Sequence, residues 1–242
     1  MKNVVILSGA RCGSSLLRRV LESATGYKIH RECFFSNRYH RKNEKVSWAI
    51  NDYSSCKKAF NEIFSNNLGV KIITGNLPVS IIEQIFNDSS LNCLFLYRKD
   101  DLRRELSIQI ARRFKLWHDD YAFEKEITDF TIDENEVIEK ICTYKKNLKM
   151  FIEQANYSRS HVLSYEDTFG VDLSFQEKFG ALEPMFNYIG INFSKIDLPE
   201  LKKTLLTGVE NVVTEKALKR LKNLPEIEAS YQKYLRNDTL CK

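Results

Sequence analysis

A chain of 242 residues can bury one α/β domain with a sizeable core, and 43% apolar with 29% charged residues exclude a disordered chain. The 37 basic and 32 acidic residues leave a net charge of +5, which suits an anionic ligand and is too small to argue for nucleic acid. Six scattered cysteines with no C-x-x-C pair predict reduced thiols in a cytoplasmic protein, with neither a zinc site nor a disulfide framework.

No stretch approaches the ~18 continuous apolar residues of a membrane helix. The first apolar run, Val4 to Leu7, is short and lacks a cleavage-like flank, so no secretory signal is expected. That run predicts a buried strand, and Leu16, Leu17, Val20 and Leu21 follow at helical spacing. Between them lies Ser8-Gly9-Ala10-Arg11-Cys12-Gly13-Ser14-Ser15. A strand, a tight loop of small residues and a helix whose first N–H groups are free together favour an anion. Small residues let backbone approach a phosphate, and Arg11 adds a fixed positive charge. The nucleoside-triphosphate loop requires G-x-x-x-x-G-K-[ST], but Ser8 stands at the first Gly and Ser14 at the Lys. The dinucleotide fingerprint also fails, because only Gly9 and Gly13 are present. The residues alone leave open which phosphate-like group is held, and an ordinary strand-to-helix turn is the plain alternative.

Further along, residues 25–28 predict a turn, and residues 29–35 contain His30 and Glu32. Residues 39–45 read as a basic loop, 49–66 as a helix, 70–74 as a strand, 78–86 as a helix and 91–97 as a buried strand. A helix then runs to about residue 116, with Arg103-Arg104 and Arg112-Arg113 expected on a solvated face. Residues 118–133 carry no period and read as a surface excursion. Residues 133–155 keep a helical stripe, 161–165 predict a fourth strand, 175–188 a helix closing at Gly190, and 215–235 a basic helical tail. Strands alternating with helices imply βαβ units and a parallel sheet, and no repeat or linker divides residues 1–242, so a single domain is expected.

Arg98, at the C-terminal end of a predicted parallel strand, would point into the crevice where such sheets bind ligands, and Ser107 in the next helix can face the same space. A guanidinium with a hydroxyl could hold a phosphate; pairing of Arg98 with Asp100 or Asp101 is the alternative.

Arg11-Cys12-Gly13-Ser14-Ser15 followed by Leu16-Leu17 resembles the 5′-phosphosulfate loop of sulfotransferases that use 3′-phosphoadenosine 5′-phosphosulfate (PAPS), most of all the bacterial trehalose-sulfotransferase-like branch. The stretch from Arg98 to Ser107 resembles that branch's 3′-phosphate segment, and Ser164-Tyr165-Glu166-Asp167 its late bracing segment. The resemblance implies a three-layer P-loop-like α/β fold with a central, mainly parallel sheet flanked by helices. It also implies transfer of a sulfuryl group from PAPS to a hydroxyl acceptor, a carbohydrate or glycolipid, leaving the 3′,5′-bisphosphate as product without a metal. Cofactor contacts would fall to Arg11, Cys12, Gly13, Ser14, Ser15, Arg98 and Ser107, and catalysis to Arg11 and Glu32, the latter as general base. The family's usual Pro before that Glu is replaced here by His30-Arg31, which keeps His30 and His118 as substitutes. The late Arg-Lys-Gly loop of many sulfotransferases has only Leu201-Lys202-Lys203-Thr204 and Gly208 as a stand-in. A kinase or NTPase with a degenerate loop and a non-catalytic nucleotide-binding module are the alternatives. No nucleic-acid partner and no integral membrane segment are expected, and nothing in the sequence signals an oligomeric state.

Overall fold

In the computed structural model, which describes residues 3–31, 50, 52–115, 127–158, 160–207 and 212–236, five strands form one parallel sheet in the order β2-β3-β1-β4-β5. They are β1 (Asn3–Ser8), β2 (Ile29–His30), β3 (Gly69–Ile73), β4 (Leu91–Tyr97) and β5 (His161–Ser164). β1 and β4 are buried along almost their whole length, as a parallel sheet covered by helices demands. The helices are α1 (Ser14–Thr25), α2 (Tyr53–Phe64), α3 (Val79–Asn87), α4 (Asp101–Phe114), α5 (Glu134–Tyr157), α6 (Tyr165–Phe169), α7 (Phe175–Ile189), α8 (Leu198–Thr207), α9 (Val212–Leu218) and α10 (Leu224–Arg236). The expected α/β fold with a central parallel sheet flanked by helices is the observed one.

The chain divides into two compact units, Met1–Lys99 with Ile152–Val209, and Asp100–Phe151 with Glu210–Lys242. The first holds the sheet. Val4 and Ile6 of β1 join Leu16, Leu17, Val20 and Leu21 of α1 in its core, together with Leu182, Met185 and Phe186 of α7 and Leu201 and Leu205 of α8. The α1 stripe is the one its helical spacing predicts. At the end of this helix Glu22 accepts the N–H of Ile29 at 2.9 Å and takes Arg18 Nη1 at 2.5 Å, which ties the two-residue edge strand β2 back to α1. α7 ends at Gly190, whose φ of 73° makes the left-handed cap that its sequence signals.

Several expectations change. The helix drawn over residues 49–66 opens at Tyr53, because Asp52 accepts the Ser55 N–H in a capping box that fixes the start. The strand expected over residues 161–165 ends at Ser164, and Tyr165 opens the short helix α6, whose first turn Ser164 caps by accepting the Asp167 N–H. Residues 201–204 are not a loop but part of α8, with Leu201 fully buried and Thr204 Oγ1 2.8 Å from Ser23 Oγ of α1; Gly208 lies outside the described residues.

In the second unit, Leu106, Ile110, Val137, Ile141, Ala217, Ile227 and Tyr234 form the core with Phe130 and Leu221. Phe130 and Leu221 make a parallel bridge, and Asn223 Nδ2 donates to the Ile132 carbonyl at 2.7 Å. The described part of the expected surface excursion, residues 127–133, is therefore docked by one buried aromatic ring that leaves no periodic trace in sequence. Arg104 departs from the solvated face assigned to it. It is buried, with its guanidinium carbon 3.7 Å from the centre of the Tyr144 ring.

Candidate functional site

β1 is the central strand, with β3 on one side and β4 on the other. From β1 the chain runs to β2 at the edge and back through β3, then crosses to the opposite side of β1 through β4, which makes the carboxyl ends of β1 and β4 the switch point where open α/β sheets bind ligands. Residues 9–13 sit there. Arg11 (φ 60°) and Gly13 (φ 88°) take left-handed backbone on either side of Cys12, the alternation of hand that turns successive N–H groups toward one concave side.

Gly13 is the N-cap of α1; no side chain caps this helix, and its first turn holds no acidic residue. By contrast α2, α4, α6 and α7 begin on Asp52, Asp100, Ser164 and Ser174, each accepting a backbone N–H. The first turn of α1 thus has the positive end of its dipole without a side-chain acceptor or a carboxylate, with Leu16 and Leu17 N–H bonded to the Gly13 carbonyl, an end that favours an anion. Ser14 is buried and Ser15 exposed, while Cys12 is fully buried with its thiol 3.7 Å from the Ala10 carbonyl oxygen.

Arg98 follows β4 and closes on this loop. Its Nη1 donates to the Arg11 carbonyl at 3.4 Å, its Nε lies 3.5 Å from Glu166 Oε1, and its guanidinium carbon is 5.0 Å from the centre of the Tyr165 ring. The two carboxylates that follow it in sequence have partners of their own. Asp100 caps α4 through the Arg103 N–H, and Asp101 accepts the Tyr231 hydroxyl with Lys145 Nζ at 3.5 Å. The second oxygen of Glu166 accepts the Lys99 N–H at 2.8 Å, and Lys99 Nζ reaches both oxygens of Asp167 at 2.7 and 2.6 Å. That hydrogen bonding holds the Lys99 ammonium above its ordinary pKa and the Asp167 carboxyl below its own. Tyr165, Glu166 and Asp167 brace the loop and the exit of β4.

A third cation enters from β3. Lys71 is buried, and its Nζ lies 3.3 Å from Ser15 Oγ. Sequence reasoning passed over it, although a lysine interrupting the apolar run Val70-Lys71-Ile72-Ile73 was visible there. It also passed over the ring of Tyr165 as a wall of the loop. Of the residues expected at the site, the structure brings Arg11, Cys12, Gly13, Ser14, Ser15 and Arg98 together. Ser107 is buried on α4, in the second unit. Glu32 and His118 lie outside the described residues, and His30 has Nδ1 2.7 Å from the Arg31 carbonyl oxygen. Among the described residues no group of His, Cys, Asp and Glu could hold a metal ion, and no helix is long and apolar enough to cross a membrane.

No protein-family profile matches the chain, and no curated protein matches it. Among solved structures, the sulfotransferase domain from the curacin biosynthetic pathway superposes with a TM-score of 0.51 at 17% identity, over 88% of this chain and 82% of that one. A sulfotransferase from Alicyclobacillus acidocaldarius gives a TM-score of 0.48 at 16% identity, over 93% of this chain and 96% of that one. The fold is thus one that a sulfotransferase uses; at such identity the likeness extends to the fold alone.

Proposed function

We propose that this chain, acting as a single sulfotransferase domain, moves a sulfuryl group from PAPS to a hydroxyl on a carbohydrate or glycolipid. The observation that carries the proposal is the uncapped first turn of α1, with Lys71 of β3 at Ser15 and Arg98, just after β4, bound to the Arg11 carbonyl of the loop that precedes the turn. That donor set fits a two-phosphate donor: cations and N–H groups with no acidic residue in the first turn to repel it. The sequence resemblance over residues 11–17 and 98–107 supplies the identity of the anion, and the shared fold agrees with it.

When bound, the donor supplies a sulfuryl group already activated as a mixed anhydride. The N–H groups of residues 12–15 and the Ser14 and Ser15 hydroxyls hold its 5′ end. Arg11 faces the oxygen on which charge develops as the bond to sulfur breaks, where preorganised charge has its largest effect. Arg98 holds the 3′-phosphate, with Ser107 carried over from the resemblance for the same group. Glu32 takes the acceptor's proton as the new oxygen–sulfur bond forms. It follows directly on Arg31, beyond the edge strand that Glu22 ties to α1.

Labelled-sulfate transfer against a panel of sugars, glycolipids, phenols and amines tests the reading. The wild type is expected to label a sugar or glycolipid hydroxyl, and Arg11→Ala to lower the rate by ~10² to 10³ with unfolding unchanged. Label on none of the panel, or full activity in Arg11→Ala, would overturn it.

A further inference from the structure

Lys71 occupies a position whose surroundings call for an apolar residue. It pairs in register with Ile6 of β1, and parallel register partners face the same side of a sheet. Ile6 on that side belongs to the core shared with Leu16 and Leu17 of α1, and Lys71 itself is only 6% exposed. A buried lysine is rare because its ammonium must be delivered to polar surroundings at the end of its stem. Here the stem runs through the core and delivers Nζ to the exposed Ser15, in the uncapped first turn of α1.

The chemistry of the contact is one-directional. An ammonium has three donors and no acceptor, so Ser15 Oγ must accept from Lys71 and its own proton is directed elsewhere. We propose that Lys71 is a positioning residue for the 5′-phosphate end of the site: it fixes Ser15 as a hydroxyl donor to the bound anion and adds the positive charge that the missing Walker lysine would have carried from the loop. The inference rests on the proposed PAPS reading. It differs from that reading in placing the cation on a neighbouring strand, reaching the anion through a hydroxyl.

The test is binding of adenosine 3′,5′-bisphosphate, with adenosine 3′-monophosphate as the probe lacking the 5′-phosphate, to wild type, Lys71→Met, Lys71→Arg, Ser15→Ala and Lys71→Met/Ser15→Ala. Lys71→Met is expected to weaken the bisphosphate about 10- to 100-fold, the size of a lost hydrogen bond to a charged group. It should leave the monophosphate unchanged, Lys71→Arg should recover part of the loss, and the double variant should bind no worse than Lys71→Met. If Lys71→Met weakens both probes alike, or neither, or if its loss simply adds to that of Ser15→Ala, the assignment fails. Thermal unfolding of each variant keeps a folding defect apart, because a purely structural lysine would lower the midpoint without discriminating between probes. Failure of the PAPS reading itself shows separately, as a wild type that prefers neither probe.

Discussion

At Gly13 backbone and packing demand the same residue. Its φ of 88° costs an L-residue about 1–2 kcal/mol, and a Cβ there would sit 2.3 Å from Cδ2 of Tyr165. Gly13→Ala should therefore lower the unfolding midpoint by several degrees, at about 2–4 °C per kcal/mol for a chain of this size, and displace the loop so that anion binding falls with it. An unaltered midpoint in a calorimetric scan would mean that the ring does not close on the loop as described. The loop itself was legible in sequence because its chemistry is contiguous: strand, Arg11, Gly13, two serines and a helical stripe. Lys71 and Tyr165 were not, because each meets the loop from a strand or helix far away in the chain, and a single lysine or tyrosine carries no sign of which loop it will touch.

Among the elements, those with a strong period or an unambiguous stop were legible: β1, β4, α1, α5 and α7. The short α6 and the buried Phe130 leave no periodic signal because tertiary contacts define them, and α8 offers only Leu201 and Leu205 as a buried pair at helical spacing. The turn between α3 and β4 shows how a polar cluster joins elements. Asp88 accepts the Tyr53 hydroxyl of α2 at 2.6 Å and the Ser90 N–H and hydroxyl at 2.9 and 2.5 Å, with Lys57 at 3.2 Å. Although burial alone would raise its pKa, the bonds from Ser90, Tyr53 and Lys57 hold the carboxyl well below its ordinary value of 3.8. A depressed carboxyl stabilises the fold at pH above its unfolded pKa, and that contribution is lost as pH falls toward the folded one. Asp88→Asn should thus destabilise the protein by a constant amount at about pH 7, and its difference from wild type should begin to shrink only as pH falls below 3.8 and keep shrinking with further acidification, as read by urea unfolding. A pH-independent difference would show that the charge is not what the cluster uses. Nearby, burial pushes the Cys56 and Cys93 thiols up to about 12, which marks them as packing residues rather than nucleophiles.

For the molecule as a whole, the sheet order β2-β3-β1-β4-β5 puts the ends of β1 and β4 side by side, and this adjacency carries the functional account. The alternation of strands and helices announced a parallel sheet. The order of its strands, and with it the meeting of Arg98 with the Arg11 carbonyl, came only from the fold. The division into two compact units was equally silent in sequence, since no linker marks it. The central claim is that the loop and Arg98 hold the two ends of one two-phosphate donor. Calorimetric titration of adenosine 3′,5′-bisphosphate into wild type and Arg98→Ala tests it most directly. The account predicts saturable binding by the wild type that is weakened about 10-fold or more in Arg98→Ala, the loss expected for a charge-assisted contact. Equal affinity in the two proteins, or ATP displacing the bisphosphate from the wild type, would contradict it.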